Sequence, residues 1–471
     1  MVRREQPPSL HDAVHRALRA WKQVDGTAED LLERLLLVRA RQQALDGDGS
    51  PTSARLVTNE ILLEGLEALK QKDDLGAKIL RERFLNGETV LKVAYRLNLS
   101  EYQVNRFQYA AIETLTKILD HREQNYRQEQ VRQLEASLPP STYFQLFGVE
   151  QTQISLLKTL QQGGSPWLVS ITGLGGLGKT ALADAVVRQL IPRLHYDRVL
   201  WLRADPHSLS GESLSPLLTF DDLITQLGRQ LNPDGGPPPR WEHIRQQLKT
   251  IPSLVVVDNL ETEADALYLF HQLGDLSGPS KFLLTSRTRP PAQAGVLTLS
   301  LSELPPPDAL ALIRHHAQII GLSDLAEAPD EALGPILEVV GGNPLAIKLV
   351  ISMALVLPLS HILADLPVGR MGKIEQLYRH IYRKAWQLLS PPARTLLQVM
   401  PVVAETGAQL GQLQAISKLT DEQLPAAIQE LVARSLLETR GTTWDRRYGI
   451  HRLTETFLRT EIVDWPEEQP G

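Results

Sequence analysis

Hydrophobic and polar positions change their period along this chain. Over residues 1 to about 45 the apolar residues fall at helical spacing, as in Leu31-Leu32-Glu33-Arg34-Leu35-Leu36-Leu37-Val38, which predicts amphipathic helix. Asp46-Gly47-Asp48-Gly49-Ser50-Pro51 is a break. Residues 52–120 again read as helices. A stretch rich in Gln, Arg and Glu at 121–135 reads as a solvated helix or a linker, and Leu138-Pro139-Pro140-Ser141 ends it. From about 142 short apolar runs alternate with longer helical segments, the signature of a parallel α/β sheet. The strand candidates are 168–172, 198–203, 253–258, 281–286 and 297–301. Asn232-Pro233-Asp234-Gly235-Gly236-Pro237-Pro238-Pro239 reads as a surface loop. After Pro305-Pro306-Pro307 the pattern is helical to about Leu366. A second helical region runs from Ile374 to about Leu437 and ends in a small β-wing near 436–448. No internal repeat of 20–50 residues is visible.

The first strand candidate runs into Gly-Leu-Gly-Gly-Leu-Gly-Lys-Thr at 173–180, a complete G-x-x-x-x-G-K-[ST] loop, and a helix pattern begins at Ala181. A strand, a glycine turn and a helix N-terminus aim successive backbone N–H groups at one point, which suits a polyphosphate. Gly173, Gly175, Gly176, Gly178, Lys179, Thr180 and Ala181 therefore form the candidate nucleotide site. Lys179 would reach the β- and γ-phosphates, and the Thr180 hydroxyl would ligate Mg²⁺. Ser253-Leu254-Val255-Val256-Val257-Asp258 is an apolar run ending in an acid. A buried parallel strand delivers Asp258 to the same sheet edge, where it can hold Mg²⁺ through water. Asn259 follows; it can orient water but cannot take a proton, so hydrolysis should be slow. Glu261 is the nearby acid that could substitute. The run Lys281-Phe282-Leu283-Leu284-Thr285-Ser286-Arg287 ends in polar residues and places Arg287 to sense a γ-phosphate, with Arg289 as a stand-in. Lys179, Asp258 and Arg287 are the candidate catalytic set.

Composition narrows the setting. The 471 residues suit two to four domains. The absence of cysteine excludes disulfides, thiol catalysis and cysteine-based zinc sites. A net charge of −6 offers no global basic field for nucleic acid. The first residues lack the apolar stretch of a signal peptide. The apolar run near 345–357 contains Lys348 and is too short for a bilayer. These features lead us to expect a cytoplasmic protein with no membrane association.

In their order these motifs resemble the NB-ARC branch of the STAND (signal-transduction) ATPases, over roughly residues 143–460. Phe147-Gly148-Val149-Glu150 looks like the family's adenine-packing motif, which implies a nucleotide contact at Val149. Gly341-Gly342-Asn343-Pro344-Leu345-Ala346 looks like the Gly-x-Pro-Leu motif, which implies that Pro344 packs on base or ribose. Tyr448-Gly449-Ile450-His451-Arg452-Leu453 is similar in part to the Met-His-Asp motif; His451 would reach the β-phosphate of ADP, and Arg452 stands where the family has Asp. The resemblance implies a multidomain chain with an α-helical N-terminal module, an α/β P-loop nucleotide-binding core, a helical domain and a winged helix. We place a helical segment at 1–50, a helix-turn-helix-like module at 51–120, a linker at 121–142, the P-loop domain at 143–302, the helical domain at 303–372, the winged helix at 373–463 and a tail at 464–471. It also implies a switch that ADP holds off and ATP turns on, with self-assembly in the ATP state. Relatives usually carry a C-terminal repeat sensor; here the chain ends at Gly471, so a separate sensor protein or a longer parent chain is expected.

Residues 74–85 and 89–97 read as two helices joined by Asn86-Gly87. Asn98-Leu99-Ser100 is a tight turn in which Asn98 can adopt the left-handed conformation, and Ser100 caps a long helix from Glu101. This resembles the helix-turn-helix of sigma-factor region four. It implies double-stranded DNA as partner, with Tyr102, Gln103, Asn105, Arg106 and Tyr109 entering the major groove. Over 73–120 seven basic side chains meet seven acidic ones, so the module carries no net charge to draw in phosphate. Three functions stand. The first is a nucleotide-gated transcription regulator. The second is the same switch with N-terminal helices that recruit a protein effector in defence or stress signalling. The third is a metabolic P-loop enzyme such as a kinase, for which no acceptor site is evident.

Overall fold

The computed structural model describes residues 9–22, 31–44, 51–204, 216–232, 241–260, 263–290, 295–366, 374–403, 407–441 and 444–463. The break at 46–50, the loop at 233–239, Glu261 and the tail at 464–471 lie outside the described residues. The chain forms two units, residues 1–133 and 134–471.

The first unit is helical: α1 (Leu10–Arg19), α2 (Leu36–Ala44), α3 (Pro51–Lys72), α4 (Asp74–Leu80), α5 (Val90–Leu97) and α6 (Glu101–Ala136). Caps account for several of the starts. Ser9 and Asp12 form a capping box on α1, Asp73 caps α4 and Thr89 caps α5. Asn98 ends α5 with φ 54°, and the Ser100 hydroxyl accepts from the Gln103 N–H at the start of α6. Leu18, Leu62, Leu66, Leu69, Leu115 and Leu119 fill one core, and Ile79, Val93, Ala94 and Val104 a smaller one. Residues 121–136 are the last turns of α6, not an extended connector. Side-chain pairs one turn apart, Gln124 with Asp120, Arg127 with Glu123 and Gln133 with Glu129, support helix there. Glu123 is buried, and its carboxylate accepts the N–H groups of Leu36 and Leu37 at 3.1 and 3.2 Å.

The second unit opens with α7 (Glu150–Gln161) and β1 (Leu168–Thr172), followed by α8 (Lys179–Leu190), β2 (Arg198–Arg203), α9 (Pro216–Leu231), α10 (Trp241–Thr250), β3 (Ser253–Leu260), α11 (Glu263–Leu276), β4 (Lys281–Ser286) and β5 (Val296–Ser300). The five strands form one parallel sheet in the order β2-β3-β4-β1-β5. β1 and β4 are buried at every position, as continuous apolar runs require when both sheet faces are covered. β3 extends two residues beyond the predicted 253–258, because a register shift between Val257 and Leu260 absorbs Asn259 at φ 79°. β5 begins one residue earlier than predicted.

The rest of the unit is mainly helical: α12 (Pro306–Ile319), α13 (Ser323–Ala326), α14 (Asp330–Val340), α15 (Pro344–Met353), α16 (Leu359–Asp365), α17 (Ile374–Gln387), α18 (Pro391–Val399), α19 (Leu410–Ser417) and α20 (Gln423–Ala433). An antiparallel pair, β6 (Glu438–Gly441) and β7 (Arg446–Gly449), precedes α21 (Arg452–Phe457). One continuous core runs from Leu304 to Leu458 through these helices. Among the described residues no single helix is long and apolar enough to cross a membrane. The apolar pair α14–α15 is bent by 116°, and most of α15 is buried.

A polar knot crosses that core. His316 on α12 is 3.0 Å from the Ser352 hydroxyl on α15 and 3.1 Å from the Ser435 hydroxyl after α20. Burial, then the charge of Lys348 and His315, pushes the His316 pKa down to about 4. An unfolded histidine binds its proton near pH 6.5. The stabilisation from a neutral His316 is therefore full above that pH and is lost as pH falls toward 4. We expect the chain to lose about 3 kcal/mol of stability over that interval through this group. Urea melts at pH 7.0 and 4.5 should show a smaller difference in His316→Gln than in the wild type.

Candidate nucleotide site

The site is built where β1 ends. Gly178 caps α8 with φ 88°, so the loop turns sharply into the helix N-terminus. Lys179 lies over the loop, its Nζ donating to the carbonyls of Gly173 and Leu174 at 2.8 Å each. Thr180 is the next helical residue, and Ala181 follows on the same turn. Sheet order puts β4 between β1 and β3, so the ends of three neighbouring strands share one edge.

Asp258 arrives there buried, 8% exposed. Its Oδ1 accepts from the Thr180 hydroxyl at 2.8 Å and from the Thr285 hydroxyl at 2.6 Å. Thr180 and Asp258, expected together from sequence, do meet. Thr285 is the member missed; it also accepts the Asn259 N–H at 2.8 Å. From sequence it belonged to the Thr285-Ser286-Arg287 motif that ends the β4 run, with no role of its own. A hydroxyl beside a carboxylate is a hard oxygen donor set that fits Mg²⁺, which keeps several waters and takes one or two protein ligands beside phosphate oxygens. Among the described residues no cluster of three or more His, Cys, Asp or Glu forms a separate metal site. The Asn259 amide donates to the Ala204 carbonyl at 2.8 Å, so it ties the ends of β2 and β3 together. Arg287 donates its backbone N–H to Leu260 O, and its guanidinium lies 3.7 Å from where a Cβ on Gly175 would stand. Arg289 is exposed.

Three C-terminal helices roof the loop. Asn343 is fully buried; its Oδ1 caps α15 by accepting from the N–H groups of Leu345 and Ala346, while its Nδ2 donates to Gly175 O at 3.0 Å. Pro344 stands at the first turn of α15, a position that needs no N–H. From α17 the Tyr378 hydroxyl donates to the same Gly175 carbonyl at 3.3 Å. Burial raises the Tyr378 pKa far above the usual phenol value, so it stays a neutral donor. Leu453 from α21 comes within 3.4 Å of a Cβ placed on Gly175. The His451 Nδ1 accepts the Leu453 N–H at 3.1 Å and caps α21. An accepting Nδ1 assigns the proton of the neutral ring to Nε2, which is then a donor. Asn343 lay inside a motif read for its proline, and Tyr378 had no sequence signal. Val149 is buried at the start of α7, and the Phe147 ring packs 5.5 Å from His315 on α12.

The N-terminal candidates behave differently. Tyr102, Gln103, Asn105, Arg106 and Tyr109 are all exposed on the first turns of α6. Gln103 folds back to accept from the Ser100 N–H at 2.8 Å, Arg106 lies over the Phe107 ring, and Tyr109 packs on His11. The neighbouring basic side chains are paired: Lys78 with Asp74, Arg81 with Glu67, Lys92 with Glu88, Arg96 with Glu82 and Lys117 with Glu113.

A glycine loop, its lysine, and a hydroxyl–carboxylate pair on a parallel sheet define a P-loop nucleotide-binding protein. Residues 149–315 match the NB-ARC domain family, so the chain carries an NB-ARC domain. A disease resistance protein of Arabidopsis thaliana is 37% identical over 76 residues, 16% of this chain and 8% of that protein. The disease susceptibility protein LOV1 of the same plant is 29% identical over 145 residues, 30% of this chain and 15% of that protein. The chain thus spans under a fifth of the length of these curated relatives. A STAND protein with a tetratricopeptide repeat sensor from Pyrococcus horikoshii has 15% identity and a TM-score of 0.42, covering 69% of this chain and 44% of that one.

Proposed function

We propose that this chain is a nucleotide-gated signalling switch, held off by ADP and turned on by ATP, whose N-terminal helices recruit a protein effector in defence or stress signalling. The observation that carries the switch is the Gly175 carbonyl. One atom of the phosphate loop accepts hydrogen bonds from Asn343 and Tyr378, on two different helices of the C-terminal region. A ligand that moves this loop must therefore move what rests on it. In this reading 143–302 is the nucleotide-binding domain, 303–372 the helical domain and 373–463 a winged helix that acts as a hinged arm. The helices α18–α20 followed by the β6–β7 hairpin support that last assignment.

Gly173, Gly175, Gly176, Gly178 and Ala181 shape the phosphate cradle. Lys179 holds the β- and γ-phosphates. Thr180 and Asp258 would hold Mg²⁺, which would supply positive charge against the phosphates. Val149 and Pro344 flank the base, and His451 donates from Nε2 to the β-phosphate of ADP. Arg287 reads the γ-phosphate. Asn259 is no base, so hydrolysis is slow and the ATP state lasts long enough for self-assembly. Disease-resistance relatives in plants support the defence setting. Self-paired basic residues beside exposed Leu91, Tyr95 and Tyr102 favour a protein partner over a phosphate backbone.

Two measurements on the full chain test this. Denaturation and chromatography of the purified protein should release ADP, and an empty preparation that also fails to bind added ADP would sink the switch. Binding to random duplex DNA should be absent at 150 mM salt. Tight, salt-sensitive binding that Arg106→Ala weakens would return the output to DNA.

A further inference from the structure

We infer that the ion pair between Arg203 and Glu455 is the latch that holds α21 closed against the nucleotide-binding sheet, an inference that rests on the switch reading above. Arg203 ends β2, the edge strand, in register with Asp258 on β3. Its backbone is fixed from outside the sheet: the N–H donates to Gln226 Oε1 at 3.1 Å, and the carbonyl accepts from Gln226 Nε2 at 3.0 Å. Its guanidinium meets Glu455 Oε2 at 3.4 Å. The Glu455 side chain is only 10% exposed, and its Oε1 accepts from Arg459 one turn on, at 3.0 Å. One carboxylate thus lies between the guanidinium of Arg459, just past the end of α21, and one from the sheet, 252 residues away in sequence.

Position turns this pair into a device. α21 presents His451, Leu453 and Glu455 at alternate residues. The first caps the helix, the second lies 3.4 Å from where a Cβ on Gly175 would stand, and the third grips β2. The sheet end of the latch sits one strand from the Asp258–Thr180 pair. Ala204, the residue after Arg203, donates its N–H to Asp258 O at 2.8 Å and accepts from Asn259 Nδ2. A change at the Asp258 end of β3 therefore reaches Arg203 through two hydrogen bonds. Glu455 is the poorly solvated member, and Arg459 keeps its charge compensated whether or not Arg203 is engaged, so Arg203 can release without leaving a buried carboxylate unpaired.

The test is charge reversal and swap in the full chain: Arg203→Glu, Glu455→Arg, and both together. Stopped-flow release of a fluorescent ADP analogue and hydrogen exchange at α21 are the readouts. Each single reversal should speed release about tenfold and raise exchange at α21, and the double swap should restore both to within about threefold of wild type. Single variants indistinguishable from wild type, or a double swap as fast as either single, would overturn the latch. Should the wild type hold no ADP, the switch reading fails; hydrogen exchange still decides whether the pair closes α21.

Discussion

Lys179→Ala is expected to leave the chain folded and unable to retain ADP. Its ammonium now donates to two loop carbonyls on the partly exposed side of the loop. Those carbonyls can turn to water, so the fold loses little. The phosphates lose a charge-assisted donor in the cradle, about 3 kcal/mol, or on the order of 100-fold in Kd. Calorimetric titration with ADP reads the loss, and a thermal melt within a few degrees of wild type shows that the fold survived. ADP bound as tightly as before would mean that the loop at 173–180 is not the phosphate site.

Gly176→Ala should have the largest structural effect. Gly176 has φ 78°, where an L side chain is strained by about 1–2 kcal/mol. Its Cβ would stand 2.5 Å from the Tyr378 hydroxyl, 2.9 Å from Asn343 Oδ1 and 2.9 Å from Leu345 Cβ. Overpacking of this kind adds about 1–3 kcal/mol, so the loop and its roof must part. Gly178→Ala is the control, with φ 88° and no heavy atom within 4 Å of its Cβ. We expect Gly176→Ala to melt earlier than Gly178→Ala and to expose the helices near Tyr378 to protease. Adding Tyr378→Phe should recover part of the loss, since the hydroxyl makes the shortest clash. Equal melts for the two glycine variants would mean that the roof does not bear on the loop.

Much of the framework was legible. The five strands of the sheet appear within a residue or two of their predicted places, because buried parallel strands must be continuously apolar. The turn at Asn98 and the cap at Ser100 were readable for a similar reason: only a few residue types suit those backbone positions. The placement of the glycine–lysine–threonine loop and of Asp258 was readable because a glycine turn must join a buried strand to a helix and a buried strand must end at the sheet edge. The stretch at 121–135 stayed ambiguous between helix and linker, since a polar helix lacks the apolar stripe that marks a buried one. The charge count over 73–120 was also visible, but not that five of its seven basic members pair with carboxylates.

What sequence determined by itself is local: the strands, the caps, the loop and the acid at the end of β3, each dictated by backbone geometry or by burial period. What only the tertiary structure decided is the closure over that loop. Asn343 and Tyr378 reach Gly175 across 168 and 203 residues, and Arg203 reaches Glu455 across 252. No period or spacing records such pairings, because they arise when separately folded elements pack and leave particular polar groups nowhere else to go.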